Sequence, residues 1–141
     1  MGVPLPKAFL AGAVDVGVTN SGSLALAHTR GIPLYLLACG ATYSRSSPIA
    51  HLVVSKSFAF KSARDLSGKS IAVSTIQDMM QASVLSWIDK NGGDSKLVKF
   101  VEMPFVQMSA AVIAKHIDGA VIAEPIFTGV KGDVQDIGLP V

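Results

Sequence analysis

The sequence has a single cysteine, Cys39, so no internal disulfide can form and a zinc site of the usual cysteine-rich kind is excluded. Charge is also sparse. Asp, Glu, Lys and Arg make up 16% of the residues and the formal net charge is +2, which gives no electrostatic basis for nucleic-acid binding. Apolar runs such as Ile32 to Cys39 fall far short of the ~20 residues that span a bilayer. The start of the chain lacks the charged opening and small-residue cleavage site of a signal peptide. There is no G-x-S-x-G elbow, no G-x-x-x-x-G-K-[S/T] phosphate loop and no G-x-G-x-x-G fingerprint. His28, His51 and His116 lie far apart and outside any metal-ligand spacing. The sequence therefore predicts a protein that is not an enzyme, with no catalytic residues, no metal and no cofactor.

What is present is apolar and alternating. Half of the residues are hydrophobic, enough for a sizeable core and too many for a disordered chain. Pro4 to Ala11 reads as a helix, Val14 to Val18 as a short strand, and Ser21 to Arg30 as a helix stopped by Gly31 and Pro33. Leu34 to Ala38 is nearly all apolar, as expected of a strand covered on both faces, and Cys39 beside it reads as a buried small hydrophobe. His51 to Ser55 is a further strand. Lys56, Lys61, Arg64 and Lys69, broken by Asp65, read as a solvated connector. Ser70 to Ser74 is the next strand, followed by a helix over Ile76 to Asn91, on which Ile76, Met80, Val84 and Ile88 recur at helical spacing. Thr75 and Asp78 resemble its capping box. Leu97 to Glu102 reads as a strand, Pro104 to Lys115 as a helix and Asp118 to Ala123 as a strand. This alternation predicts an α/β fold with a parallel sheet covered on both faces.

One internal echo stands out. Ala8, Ala11, Val14, Asp15 and Val18 and then Ala111, Ala114, Ile117, Asp118 and Val121 both fit A-x-x-A-x-x-[V/I]-D-x-x-V. The pattern describes a helix, a tight turn in which Asp satisfies backbone groups, and a strand. Its recurrence predicts two similar lobes.

Parallel α/β sheets bind ligands beyond the carboxyl ends of their strands. The segments that follow the predicted strands there are Asn20-Ser21, then Ser74, Thr75 and Gln77, then Glu124 before Pro125. The first two are hydroxyl- and amide-rich turns that open helices, where unpaired N–H groups suit an anion or a carbonyl oxygen. Ser21, Ser74 and Thr75 serve equally well as plain N-caps. Glu124 follows an apolar run, so its charge needs solvent or a partner. That partner is either a cationic or hydrogen-bond-donating ligand group, or a lysine or backbone amide of the protein.

Taken in order, Ala11-Gly-Ala-Val-Asp-Val-Gly17, Gly31-Ile-Pro33, Asp65-Leu-Ser-Gly-Lys-Ser-Ile-Ala-Val73, Met103-Pro-x-x-Gln-Met108 and Ile117-Asp-Gly-Ala-Val-Ile-Ala-Glu-Pro125 resemble the nitrate/sulfonate/taurine (SsuA/TauA/NMT1-like) family of ABC-transporter solute-binding proteins. The resemblance implies an incomplete, two-lobed periplasmic-binding-protein type II fold. Residues 1–57 would be part of lobe I with a hinge strand, and 58–141 lobe II without its return crossing. It implies a small solute (sulfonate, nitrate, taurine-like or heterocyclic) held in the cleft for delivery to ABC permease subunits. The parent protein would be periplasmic or lipid-anchored and extracytoplasmic. It places Asn20, Ser21, Ser74, Thr75 and Glu124 on the cleft and Lys56 to Lys61 at the first crossing between lobes. Family members are about twice as long, so the chain reads as a fragment whose unpaired strands favour self-association. The alternatives are an enzyme of the THI5 type, which makes a thiamine pyrimidine, and the effector-binding domain of a transcription regulator.

Overall fold

The computed structural model describes residues 5–40, 44 and 48–138. The chain divides into two compact units, Met1–Thr42 and Tyr43–Val141.

In the first unit the helices form where the sequence supplies local start and stop signals. Helix α1 is Leu5–Leu10 and α2 is Ser21–Thr29. Asn20 is the N-cap of α2: its backbone is extended and its side chain accepts from Ser23 N at 2.7 Å. Gly31, at φ +73°, ends the helix. The two strands expected over 14–18 and 34–38 do not form. Both segments are free of sheet pairing, and Val16, Val18, Tyr35, Leu36 and Leu37 are exposed. Cys39, expected to be buried, is exposed as well. A strand takes its hydrogen bonds from a neighbouring strand, and among residues 5–40 no strand is formed that could supply them.

The second unit is built on one mixed sheet. Its strands are β1 (Ala50–Ser55), β2 (Ser70–Val73), β3 (Lys99–Glu102), β4 (Gly119–Ala123) and β5 (Val134–Gly138), in the order β3-β2-β4-β1-β5. Strand β2 runs parallel to both β3 and β4, whereas β1 is antiparallel to both β4 and β5. The parallel-rich sheet expected from the alternation is thus parallel across β3, β2 and β4 and antiparallel where β1 enters. The sequence placed this strand in lobe I as a hinge. In the structure its residues are buried or nearly so and both of its edges are paired, so it lies inside the second unit's sheet.

Helices cover both faces of the sheet, as the alternation requires. On one face Leu52, Val54, Ile71, Val73 and Val121 pack with Val84 and Ile88 of α3 (Met79–Lys90). On the other face Val53, Ala72, Ala120 and Ile122 pack with Met108 and Val112 of α4 (Phe105–Ile113), with Ile126 and Phe127 of α5 (Ile126–Val130) alongside. The alternation along each strand therefore feeds two cores.

The Asp65-Leu-Ser-Gly-Lys69 motif is explained by structure. Asp65 accepts from the N–H groups of Lys61 and Ser62 at 2.8 Å each and caps a 3-10 turn, Ala63–Leu66. Leu66 is fully buried in the core. Gly68 sits at φ +74°, in the left-handed region. Lys69 reaches Asp118 at 3.2 Å. The stretch read as a solvated connector thus contributes to the core and to a clamp on the sheet.

That clamp joins the amino ends of β2 and β4. Asp118 Oδ2 accepts from both Ser70 N and Ser70 Oγ at 2.9 Å, and Asp118 N donates back to Ser70 O at 3.1 Å. Burial opposes the Asp118 charge, but the Ser70 and Lys69 hydrogen bonds prevail and hold its carboxyl below the ordinary value of 3.8. The folded value is depressed, so this stabilisation is complete at neutral pH and fades as pH falls through the carboxylate range. Asp118→Ala should lower stability by about 1–3 kcal/mol at pH 7, because it leaves two Ser70 donors without an acceptor. Its deficit relative to the parent chain should shrink on titration toward pH 3, measured by urea unfolding at each pH.

Candidate functional site

The chain order around β2 makes a topological switch point. From β2 it crosses through α3 on one face to reach β3, then returns through α4 on the opposite face to reach β4, on the other side of β2. The exit from β2 therefore turns toward α3 and the exit from β4 toward α5, on opposite faces. Adjacent parallel strands whose exits diverge in this way leave a gap at their carboxyl ends, the usual ligand position in open α/β sheets.

Four of the sequence-predicted residues lie at this gap. Ser74, Thr75 and Gln77 follow β2, and Glu124 follows β4. Asn20 and Ser21 belong to the first unit, where Asn20 acts as the α2 cap.

The turn after β2 differs in detail from its sequence reading. The helix starts at Met79, three residues later than expected, and its N-cap is Asp78, which accepts from Gln81 N at 3.0 Å. Gln77, at φ +64°, is outside helical geometry and forces the later start. Its own N–H donates to Gln81 Oε1 at 2.6 Å. Thr75 and Asp78 therefore do not make the capping box; Asp78 and Gln81 share that work. The Ile76 N–H donates to Glu102 Oε2, at the end of β3, at 3.2 Å.

Glu124 is engaged by its own chain. Thr128 donates to it through N at 3.1 Å and through Oγ1 at 3.0 Å, so the carboxylate caps the start of α5. Of the two partners the sequence left open, a backbone amide is realised here, from the following helix. Beside it lies His51, 7% exposed. The His51 ring stacks on Phe127 with centroids 3.7 Å apart, its Nδ1 is 2.9 Å from Asp136 Oδ2, and its Nε2 is 4.0 Å from Glu124 Oε1. Sequence reading missed Glu102, His51 and Asp136. Glu102 had a signal, because Glu102-Met-Pro104 ends a strand much as Glu124-Pro125 does. His51 and Asp136 had none, since 85 residues separate them and only sheet pairing joins them.

Elsewhere, an open groove of about 450 Å³ runs along α4, lined by Met103, Val106, Gln107, Ala110, Ala114 and His116 among others. Its lining is mostly apolar and it lies open along the helix surface, so the strand ends at the switch point are the better candidate. Among the described residues no group of three or more His, Cys, Asp or Glu side chains is placed to hold a metal ion, and no helix is long and apolar enough to cross a membrane.

The His51 ring, stacked on Phe127 and bonded to Asp136, should act mainly as a structural tie. His51→Phe keeps the stacking and removes the donor, and should cost about 1–3 kcal/mol. His51→Ala loses both and should cost more, roughly 3–5 kcal/mol by analogy with buried aromatic truncation. Denaturant titration of the two variants checks the order.

Comparison with solved structures places the fold. The alkanesulfonate-binding protein SsuA from Xanthomonas axonopodis pv. citri, bound to MOPS, matches with TM-score 0.78 and 19% identity over 96% of this chain and 46% of its own. The periplasmic aliphatic sulphonate binding protein SsuA from Escherichia coli matches with TM-score 0.68 and 17% identity, over 94% of this chain and 45% of its own. A putative periplasmic sulfonate-binding protein SsuA from Methylobacillus flagellatus KT matches with TM-score 0.64 and 22% identity, over 95% of this chain and 39% of its own. The chain spans less than half the length of each of these structures and shares that part of their α/β, periplasmic-binding-protein type II fold. No curated protein sequence matches it. The NMT1/THI5 like family model matches residues 4–137, nearly the whole chain, and the protein belongs to that family.

Proposed function

We propose that this chain is the solute-capturing part of an extracytoplasmic binding protein that delivers a small molecule to an ABC importer, and that it does not transform its ligand. The observation that carries this reading is the switch point at β2, where the chain leaves the carboxyl ends of β2 and β4 toward opposite faces of the sheet. The family match and the binding proteins that share the fold support it. The second unit serves as lobe II, with the crossing upstream of residue 58, and the first unit is part of lobe I. Ser74, Thr75, Gln77 and Glu124 are the proposed solute contacts of the second unit; Asn20 and Ser21 are the residues of the first unit proposed for the same role. The solute belongs to the sulfonate, nitrate, taurine-like or heterocyclic class. Capture requires contacts that favour a closed state, with no chemical step.

Thr75 is exposed and takes part in no cap, so Thr75→Ala should weaken solute binding several-fold while leaving the melting temperature unchanged. Glu124→Gln should weaken binding and also lower stability by about 1 kcal/mol, since it removes the charge from the α5 cap. The pair is checked by calorimetric titration of a solute panel together with thermal melts. Unchanged binding in both variants would remove the switch point from consideration.

The exposed apolar residues of segments 14–18 and 34–38 support self-association as a second property of the isolated chain. Light scattering across a concentration series should give a mass that rises above 14.6 kDa. A constant monomer mass would rule this out.

A further inference from the structure

Helix α4 turns an uncharged face to solvent. From Met103 through Ala114 the sequence contains no Asp, Glu, Lys or Arg. Met108 and Val112 pack on the sheet. The opposite side presents Val106, Gln107, Ala110, Ile113 and Ala114, all exposed, with Val106 at 76% and Ile113 at 43%. At 3.6 residues per turn these five span an arc of about 120°. Helix α3, on the other face of the sheet, includes Asp89 and Lys90 among its exposed residues. A surface helix carries charged or polar residues on its outer side, and a helix that is apolar all round is covered all round.

The face is shaped as well as apolar. It borders the open groove of about 450 Å³, which has Met103 and His116 among its lining residues. Ala110, Ala111 and Ala114 make a hollow, and Val106 projects beside it. A hollow and a projection on one surface make that surface complementary to itself. That is the requirement of a twofold interface, in which the same patch serves both partners. Val106 and Ala110 are four residues apart and Ala110 and Ile113 three, the spacing by which two helices pack side by side at a shallow angle.

The flanking charges fit the same arrangement. Glu102 precedes the uncharged stretch and Lys115 follows it, and both are exposed. They stand equally far in sequence from the midpoint between Met108 and Ser109. In an antiparallel pair about that midpoint, Glu102 of each copy meets Lys115 of the other. A parallel pair would set like charge against like.

We propose that the outer face of α4 is a contact between two copies of this chain, packed antiparallel about a twofold axis. Val106 of each copy fills the alanine hollow of the other, and the two Glu102–Lys115 pairs fix the direction. This contact is separate from solute capture and from segments 14–18 and 34–38. Helix α4 has nine residues, a length of about 14 Å at 1.5 Å per residue. The contact is therefore smaller than the roughly 800 Å² per partner of a standard interface, and the dimer is weak, with a dissociation constant on the order of tens of micromolar.

Sedimentation equilibrium over a concentration series tests it on the 141-residue chain and its variants. The parent mass should climb from 14.6 kDa toward twice that value. Ala110→Glu puts a charge in the middle of the face, and should raise the dissociation constant at least about tenfold with an unchanged circular dichroism spectrum. Glu102→Lys and Lys115→Glu should each weaken the dimer several-fold. An equimolar mixture of these two variants should associate as tightly as the parent, because each charge then meets its opposite in the other chain. A parent that stays monomeric at every concentration overturns the proposal. So does association that survives Ala110→Glu, and its loss in Leu36→Ser would then move the contact to segment 34–38. A mixture that associates no better than its two components overturns the antiparallel pairing.

Discussion

The register of β2 between β3 and β4 is the constraint on which the rest of the second unit depends. It is fixed at the amino ends, far from the candidate site. Asp118 accepts two hydrogen bonds from Ser70 and returns one, and on the other side Lys99 N donates to Lys69 O at 2.9 Å and Gly68 N to Leu97 O at 2.9 Å. A shift of one residue in β2 would turn Ile71 and Val73 away from α3 and Ala72 away from α4, emptying both cores at once. Gly119 completes the lock. A Cβ there would lie 2.9 Å from Val53 O, so β4 sits closer to β1 than any side chain would allow. With the amino ends pinned, the carboxyl ends follow, and Val73 comes level with Glu102 at the edge of the candidate site.

The same geometry accounts for much of the acidity at that edge. In the second unit α3 begins there with its partial positive end, and Asp78 offsets that charge as a cap. Lys90 stands in the last turn of α3, at the opposite end. Helix capping thus explains Asp78, and the Thr128 bonds explain part of Glu124. It does not explain Glu102, which ends a strand and reaches sideways to an amide of the neighbouring turn. Glu102 is instead a tie between the end of β3 and the turn that follows β2.

How much of this was legible in the sequence depended on whether the bonds involved are local. Strands β2 and β4, helices α3 and α4 and the two-faced core followed from apolar spacing, and the start of α2 from its polar opening turn, although the cap is Asn20 and not Ser21. The start of α3 was misread because the positive φ of Gln77 leaves no mark in hydrophobic periodicity, although Asp78-Met-Met-Gln81 carries the spacing of a cap and its partner. Helix α5 and strand β5 were not read at all. Ile126–Val130 is only five residues long, and Val134–Gly138 carries Gln135 and Asp136 on a strand paired along one side only, so neither shows a clean period. Asp118 was read as serving its own turn, whereas its partners lie 48 residues earlier in the chain.

The repeated A-x-x-A-x-x-[V/I]-D-x-x-V pattern makes the point most directly. After α1, Gly12 N bonds to Phe9 O and Ala13 N to Ala8 O, both at 2.9 Å. After α4, the equivalent bonds run from Lys115 N to Val112 O at 3.0 Å and from His116 N to Ala111 O at 2.9 Å. Gly12 and Lys115 occupy the same place with φ of +64° and +61°. The two turns are the same helix-ending motif in register, and a lysine adopts at the second the left-handed backbone that glycine adopts freely at the first. Beyond the turns the copies part. Asp118 latches onto Ser70 and leads into β4, whereas the segment after Asp15 forms no strand. The shared pattern has produced matching local hydrogen bonds, because a helix end closes on its own residues. It has not produced identical strands, because a strand exists only when a second stretch of chain offers its edge. What separates the two copies is therefore the presence of β2 beside the second.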